Sequence, residues 1–287
     1  MSAAPADRFA VVSGAARLAG ERRGHGPGRP LVVLLHAGVA DRRSWHAVME
    51  AFPPGAGLVA YDRRGFGETT VAAAEPHDHA ADLGAVLDAV ADGPAWLVGS
   101  SQGGRIAIDF TLAHPRRVAG LVLVAPAVSG WELPDVAELD EPERRLALLV
   151  EEAEDAGDLE AVNRYEAWFW LDGPRAPEGR VTGAARDLVL DMNGRALAAG
   201  DVGPAAEPPP AHERLGEVAV PALVAWGDLD LVPTQRVAAG VAERVPGARQ
   251  WVIAGTAHLP YLERPRAFAE HVARFVASER PGRDLHA

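Results

Sequence analysis

Short, unbroken apolar runs, each followed by a stretch of helical periodicity, constrain this chain more than any other feature. A strand with one wet face alternates apolar and polar residues. An uninterrupted run marks a strand buried on both faces, which means a parallel sheet covered by helices. Such runs occur at Leu31–Leu35, Leu58–Tyr61, Ala95–Val98, Val118–Val124 and Val220–Trp226, and Gln250–Ile253 reads as a further strand. Helical patterns cover Ser44–Phe52, Ala80–Val90, a stretch opening near Gly103, Thr234–Val245 and Pro265–Ser278. In the second of these, Leu83, Val86, Leu87 and Val90 share one face. Phe9–Val12 and Ala16–Glu21 read as an opening hairpin. The alternation predicts an α/β fold with a mostly parallel, doubly wound sheet.

The rhythm breaks near Ser129 and returns at Val220. Between Trp131 and Glu213 the sequence is acidic and helix-prone, with loops at Gly173-Pro174 and Glu207-Pro208-Pro209-Pro210. The organisation expected is a core of residues 1–129 and 214–287, interrupted by a helical lid over 130–213. Residues after Arg280 read as a disordered tail.

Composition removes several kinds of chemistry. There is no Cys, so disulfides, thiolate metal sites and cysteine nucleophiles are excluded. All 28 basic residues are Arg, a bias read as compositional. A net charge of -12 argues against nucleic acid or an anionic membrane as partner. No uncharged apolar run approaches the ~18 residues that span a bilayer, and the first residues lack a basic-then-apolar leader, so a cytoplasmic protein is expected.

Within that framework, Gly99-Ser100-Ser101-Gln102-Gly103 sits between a strand and a helix. Gly-x-Ser-x-Gly in that setting describes a turn too sharp for ordinary side chains, with a serine held at its tip in strained φ/ψ. Glycine spacing puts Ser101, not Ser100, at the centre, and a Cβ at Gly99 or Gly103 would strike the neighbouring strand or helix. The motif alone is weak. Acyl transfer by a serine also needs a base and an acid to orient that base. Gly227-Asp228-Leu229-Asp230 follows one sheet run and Gly255-Thr256-Ala257-His258 follows the next, both at strand ends where open α/β sheets bind ligands. The first of these offers two carboxylates.

These segments resemble the α/β-hydrolase family almost end to end. The resemblance is carried by Leu35-His36-Ala37-Gly38, Tyr61-Asp62-Arg63-Arg64-Gly65-Phe66-Gly67, Gly99–Gly103, Gly227–Pro233 and Gly255–His258. Ala37 stands where that family usually has glycine. The resemblance implies the order nucleophile, acid, histidine: Ser101 attacks, His258 accepts its proton, and Asp230 orients the imidazole. It places Asp228 as a brace in the same loop. It implies an oxyanion hole from the backbone N–H groups of Gly38 and Gln102, with His36 supporting that loop. Relatives that open epoxides or release halide use an Asp at the elbow, so Ser101 counts against both.

The remaining conspicuous residues have plainer readings. His77-Asp78-His79 reads as capping and surface groups, not as a metal pair. Asp62, Arg63 and Arg64 read as a buried ion-pair network, and Glu151–Asp155 as a solvated helix face. Tyr165–Trp170 is the most aromatic window of the chain. One or two of Trp168, Phe169 and Trp170 are expected to face an apolar substrate pocket, with Trp45 and Trp131 as further candidates. The activity expected is cleavage of a small-molecule ester or lactone through an acyl-enzyme, with no cofactor and no metal. C–C bond hydrolysis and perhydrolysis use the same triad, and a low-turnover ligand-binding protein is a third reading. If substrates bear a carboxylate, Arg105 or Arg164 are the expected anion partners.

Overall fold

The apolar runs fold as strands of one nine-stranded sheet in a computed structural model that describes residues 6–24, 26 and 28–279. The tail after Arg280 lies outside the described residues. In chain order the strands are β1 (Asp7–Ser13), β2 (Ala16–Arg23), β3 (Leu31–Leu35), β4 (Gly57–Tyr61), β5 (Thr70–Val71), β6 (Ala95–Ser100), β7 (Val118–Val124), β8 (Ala222–Gly227) and β9 (Arg249–Ile253). They lie in the order β1-β2-β4-β3-β6-β7-β8-β9, with β5 beside β2. The hairpin β1–β2 is antiparallel and joins β4 antiparallel, and from β4 to β9 every pairing is parallel.

Successive side chains of a strand point to opposite faces. On β3, Val33 and Leu35 therefore enter one core while Val32 and Leu34 enter the other. The first core is closed by α2 (His79–Val90), α3 (Gln102–Ala113) and α7 (Val232–Arg244), through Leu83, Phe110 and Val241 among others. The second is closed by α1 (His46–Ala51) and α9 (Pro265–Ser278), through Val48, Phe268 and Val272. Burial on both faces is the physical reason the runs of β3, β4, β6, β7 and β8 are unbroken, whereas β9, at the sheet edge, starts with exposed Arg249 and Gln250 and leaves Val252 exposed.

Departures from the expected elements are small and have local causes. The helix expected over Ser44–Phe52 begins as a tight 3₁₀ turn, Arg42–Trp45, whose first N–H groups are capped by Asp41 accepting from the Arg43 N–H at 2.8 Å. The run at Val220 enters the sheet only at Ala222, because Pro221 has no N–H for the ladder, although its carbonyl accepts from the Leu121 N–H at 2.8 Å. The two-residue β5 and the one-turn α8 (Pro260–Glu263) were not expected.

Between β7 and β8 the chain leaves the sheet and builds α4 (Glu141–Asp155), α5 (Leu159–Ala167) and α6 (Ala184–Leu197). Asp140 and Asp158 cap the first two, accepting from the Glu143 and Ala161 N–H groups. The acidic residues of the Glu151–Asp155 run are exposed on α4. The aromatic window does not continue as α-helix. It closes in a π-helical turn, Trp168–Asp172, a form that recurs at functional sites. No described helix is long and apolar enough to cross a membrane.

Candidate active site

Ser101 is the single residue between β6 and α3, with φ 52° and ψ −116°. A non-glycine residue held there costs of order 1–3 kcal/mol, so the surroundings must impose it. They do. The Ser101 N–H donates to the Val124 carbonyl at 2.9 Å, and its carbonyl accepts from the N–H groups of Arg105 and Ala127, each at 3.1 Å. A Cβ on Gly99 would lie 2.3 Å from the Gly103 carbonyl oxygen, and one on Gly103 would lie 2.4 Å from that of Leu35. Ser100, the rival hydroxyl, is fully buried, whereas Ser101 lines a cavity of about 450 Å³.

The loop after β9 brings His258 to that cavity wall, and the loop after β8 places the buried Asp230 against its imidazole. The His258 Nδ1–H donates to Asp230 Oδ2 at 2.8 Å, and Asp230 Oδ1 accepts from the Leu231 N–H at 2.8 Å. Nδ1 is thereby occupied, leaving Nε2 as the ring nitrogen free to act at the cavity that His258 lines. The His258 backbone N–H donates to the Trp170 carbonyl at 3.2 Å, and the two rings lie 4.6 Å apart. Asp228 faces away from the imidazole and accepts from the Gly255 N–H at 2.6 Å, bracing one loop on the other.

On the opposite side of Ser101 stand Gly38, in the loop after β3, and Gln102, the first residue of α3. The first N–H groups of a helix have no intrahelical acceptor, and the helix dipole favours negative charge there. Behind these two residues lies a hydrogen-bonded unit of His36, Arg63 and Gln102. The buried His36 donates from Nδ1 to the Ala37 carbonyl at 2.8 Å and accepts at Nε2 from the Arg63 N–H at 3.1 Å. The Arg63 guanidinium donates to the Ala37 carbonyl at 3.1 Å and to Gln102 Oε1 at 2.9 Å.

Acyl transfer by serine draws on a hydroxyl, an imidazole of fixed tautomer and backbone N–H donors, and this cavity brings together residues of those kinds. A family model described as alpha/beta hydrolase fold matches residues 30–265. The chain belongs to the α/β-hydrolase family. It is similar to the pimeloyl-[acyl-carrier protein] methyl ester esterase of Yersinia enterocolitica, at 28% identity over 250 residues covering 85% of this chain and 92% of that protein. Among solved structures it is similar to the esterase RhEst1 from a Rhodococcus species, with a TM-score of 0.74 and 25% identity over 96% of this chain and 99% of the other. The enol-lactonase from Burkholderia xenovorans shares the fold at a TM-score of 0.72 and 22% identity, covering 94% of this chain and all of its own (100%).

In this α/β-hydrolase the Asp62–Arg64 segment is not one ion-pair network. Asp62 pairs with Arg42, and Arg64 pairs with Asp82 and Glu75 at 2.9 Å each. Arg63 pairs with no carboxylate among the described residues, and burial pulls it down to about 10. His36 is held well below its ordinary value by burial first and then by the Arg63 charge, so it is neutral in the fold. A depressed folded-state pKa gives stability that is full above the unfolded value of ~6.5 and is lost as pH falls below it. The unfolding free energy of the wild type, from urea titrations, should therefore decline toward that of His36→Gln between pH 7 and 5, at up to about 1.4 kcal/mol per pH unit. A constant difference between the two proteins across that range would refute the linkage.

The aromatic candidates divide sharply. Trp170 lines the cavity. Trp45 does not: it is fully buried and stacks on Tyr261 at 3.9 Å, because the 3₁₀ turn points it into the second core. Trp131 packs against α7 with the Arg244 guanidinium 4.6 Å above its ring. Trp168 donates from Nε1 to the Ala176 carbonyl at 2.8 Å, and Phe169 turns into a small cluster with Leu146 and Leu231. Arg105 and Arg164 are absent from the cavity lining, and Arg164 lies over Tyr165 and beside Glu178. The lining also includes Phe66, Glu166 and Asn193, which sequence reasoning missed. Phe66 was within a quoted motif and Glu166 within the aromatic window, but neither residue type advertises a pocket.

Proposed function

We propose that this protein is a serine hydrolase of small carboxylic esters or lactones that works through an acyl-enzyme on Ser101. The observation that carries the reading is that His258, paired with Asp230 at 2.8 Å, lines one cavity with a serine held at positive φ. The ester-hydrolase names of similar proteins support it. Ser101 Oγ attacks the carbonyl carbon as its proton passes to His258 Nε2. The resulting oxyanion is held by the N–H groups of Gln102 and Gly38. Asp230 stabilises the imidazolium, which then protonates the leaving alcohol. Water, deprotonated by the same His258, attacks the acyl-enzyme and releases the carboxylic acid and Ser101. Residues 130–213, with α4, α5 and α6, act as the lid.

Phe66, Trp170 and Leu197 supply an apolar part of the cavity. Each methylene of acyl chain buried there should gain about 0.8 kcal/mol, or about fourfold in kcat/KM. For a p-nitrophenyl ester series the expected profile climbs from acetate until the cavity is filled and then falls. Trp170→Ala should shift that optimum to longer chains. A flat profile in the wild type, or an unmoved optimum in the variant, counts against the assigned pocket. Failure to turn over any ester of the series while binding one stoichiometrically counts against the enzyme itself.

A further inference from the structure

The cavity wall formed by the helical insertion is not apolar throughout. Glu166, at the end of α5, and Asn193, on α6, both line it. Asn193 Nδ2 donates to Glu166 Oε2 at 2.7 Å and to Asn163 Oδ1 at 3.0 Å, while Asn163 Nδ2 donates to the Leu190 carbonyl at 2.9 Å. This arrangement ties α5 to α6 and fixes the Glu166 carboxyl group. Its other oxygen, Oε1, has no partner among the described residues. No cation neutralises it either, since the charge acting on it is that of Glu154, of like sign. Apart from His258, Glu166 is the one ionisable side chain in the described lining.

Burial first, and then the like charge of Glu154, push this partly buried carboxyl above its ordinary value, so holding it charged is costly and a cation beside it would offset that cost. Tying two helices together does not explain the charge, because a neutral amide oxygen would accept from Asn193 equally well. A carboxyl in the cavity lining with one oxygen left without a protein partner is a group that a cationic donor can take.

We infer that Glu166 sets the charge preference of this hydrolase, selecting esters that carry an ammonium group and rejecting those that carry a carboxylate. The inference rests on the reading of Ser101, His258 and Asp230 as an ester-cleaving site, and it replaces Arg105 and Arg164 as the source of charge selectivity. A charge-assisted hydrogen bond gained from an ammonium amounts to roughly 10- to 100-fold in kcat/KM, and a carboxylate brought to the same place loses a comparable factor.

The test compares p-nitrophenyl hexanoate with the aminohexanoate and hydrogen adipate esters, and repeats the three end groups on the alcohol side of a butyrate. The wild type should rank ammonium above neutral above carboxylate on at least one side. Glu166→Gln keeps an acceptor for Asn193 and removes only the charge, so it should compress those ratios to within about threefold of one. Equal rates for all three end groups on both sides, a preference for carboxylate, or a preference that survives Glu166→Gln overturns the inference. If the variant does not fold, the wild-type ratios alone decide. These outcomes leave the hydrolase reading standing. Absence of turnover with every ester would instead remove that reading, and the inference with it.

Discussion

Alanine at Ser101 is expected to lower kcat for ester hydrolysis by roughly 10³–10⁶-fold, measured with p-nitrophenyl butyrate. It should also abolish labelling by a fluorophosphonate probe. The variant loses the attacking oxygen but keeps the Gln102 and Gly38 N–H groups, so a residue of catalysis over water is expected. The fold should survive, because what holds the elbow is backbone: the Val124 carbonyl on one side and the Arg105 and Ala127 N–H groups on the other. Alanine keeps the Cβ at φ 52° and leaves the strain in place. Glycine at the same position should relieve it, raising stability by about 1 kcal/mol while being equally inactive. Labelling or turnover that persists in Ser101→Ala would remove Ser101 from the mechanism.

The second large effect is expected at Asp230. Asparagine there is nearly isosteric but has one donor and one acceptor where the carboxylate has two acceptors. The Leu231 N–H, 2.8 Å from Oδ1, settles which way the amide faces. Turning its NH₂ toward that N–H would oppose two donors, so the amide oxygen stays there and the NH₂ meets His258 Nδ1. Nδ1 must then accept, the imidazole proton moves to Nε2, and Nε2 can no longer take the proton of Ser101. The tautomer is wrong although the geometry is intact, and a loss of about 10⁴-fold in kcat follows. Asp228→Asn is the control, since Asp228 bonds the Gly255 N–H and not the imidazole. Its loss should stay within about tenfold. A larger loss at Asp228 than at Asp230 would overturn the assignment of the acid.

Much of the architecture was legible because burial leaves a local record. Leu31–Leu35, Val118–Val124 and Pro265–Ser278 fold over the same spans that their patterns predict. The first two are unbroken apolar runs and the third a long amphipathic stretch, patterns strong enough to outweigh context. Thr70–Val71 and Pro260–Glu263 carry no such record, because a two-residue strand and a single helical turn owe their form to their neighbours. The aromatic residues show the same limit within a site. Trp45 and Trp170 are the same residue type near predicted helices, yet one stacks in the core and the other lies over His258. The difference arises from a 3₁₀ turn and a π turn, each changing the rotation per residue that a helical wheel takes as constant.

The arginines extend the point to charge. Asp62, Arg63 and Arg64 are adjacent in sequence, and adjacency reads as mutual pairing. In the fold, Arg42 takes Asp62, Asp82 takes Arg64, and Arg63 is left to backbone carbonyl, amide oxygen and the Phe66 ring. Which carboxylate reaches which guanidinium depends on elements distant along the chain, and no local spacing encodes it.

By itself the sequence determined the parallel sheet, the elbow at Gly99–Gly103, and the order in which Ser101, Asp230 and His258 arrive at strand ends. These follow from side-chain burial and steric exclusion, which act on neighbours in the chain. The tertiary structure places Asp230, the acid that the resemblance implied, against the imidazole, and only it decided that Trp170 alone among the five aromatic candidates lines the cavity and that Glu166 stands in its wall. Those outcomes depend on how α5, α6 and the loops after β8 and β9 pack together. Contacts between segments far apart in sequence are set by shape and hydrogen bonding at their meeting point.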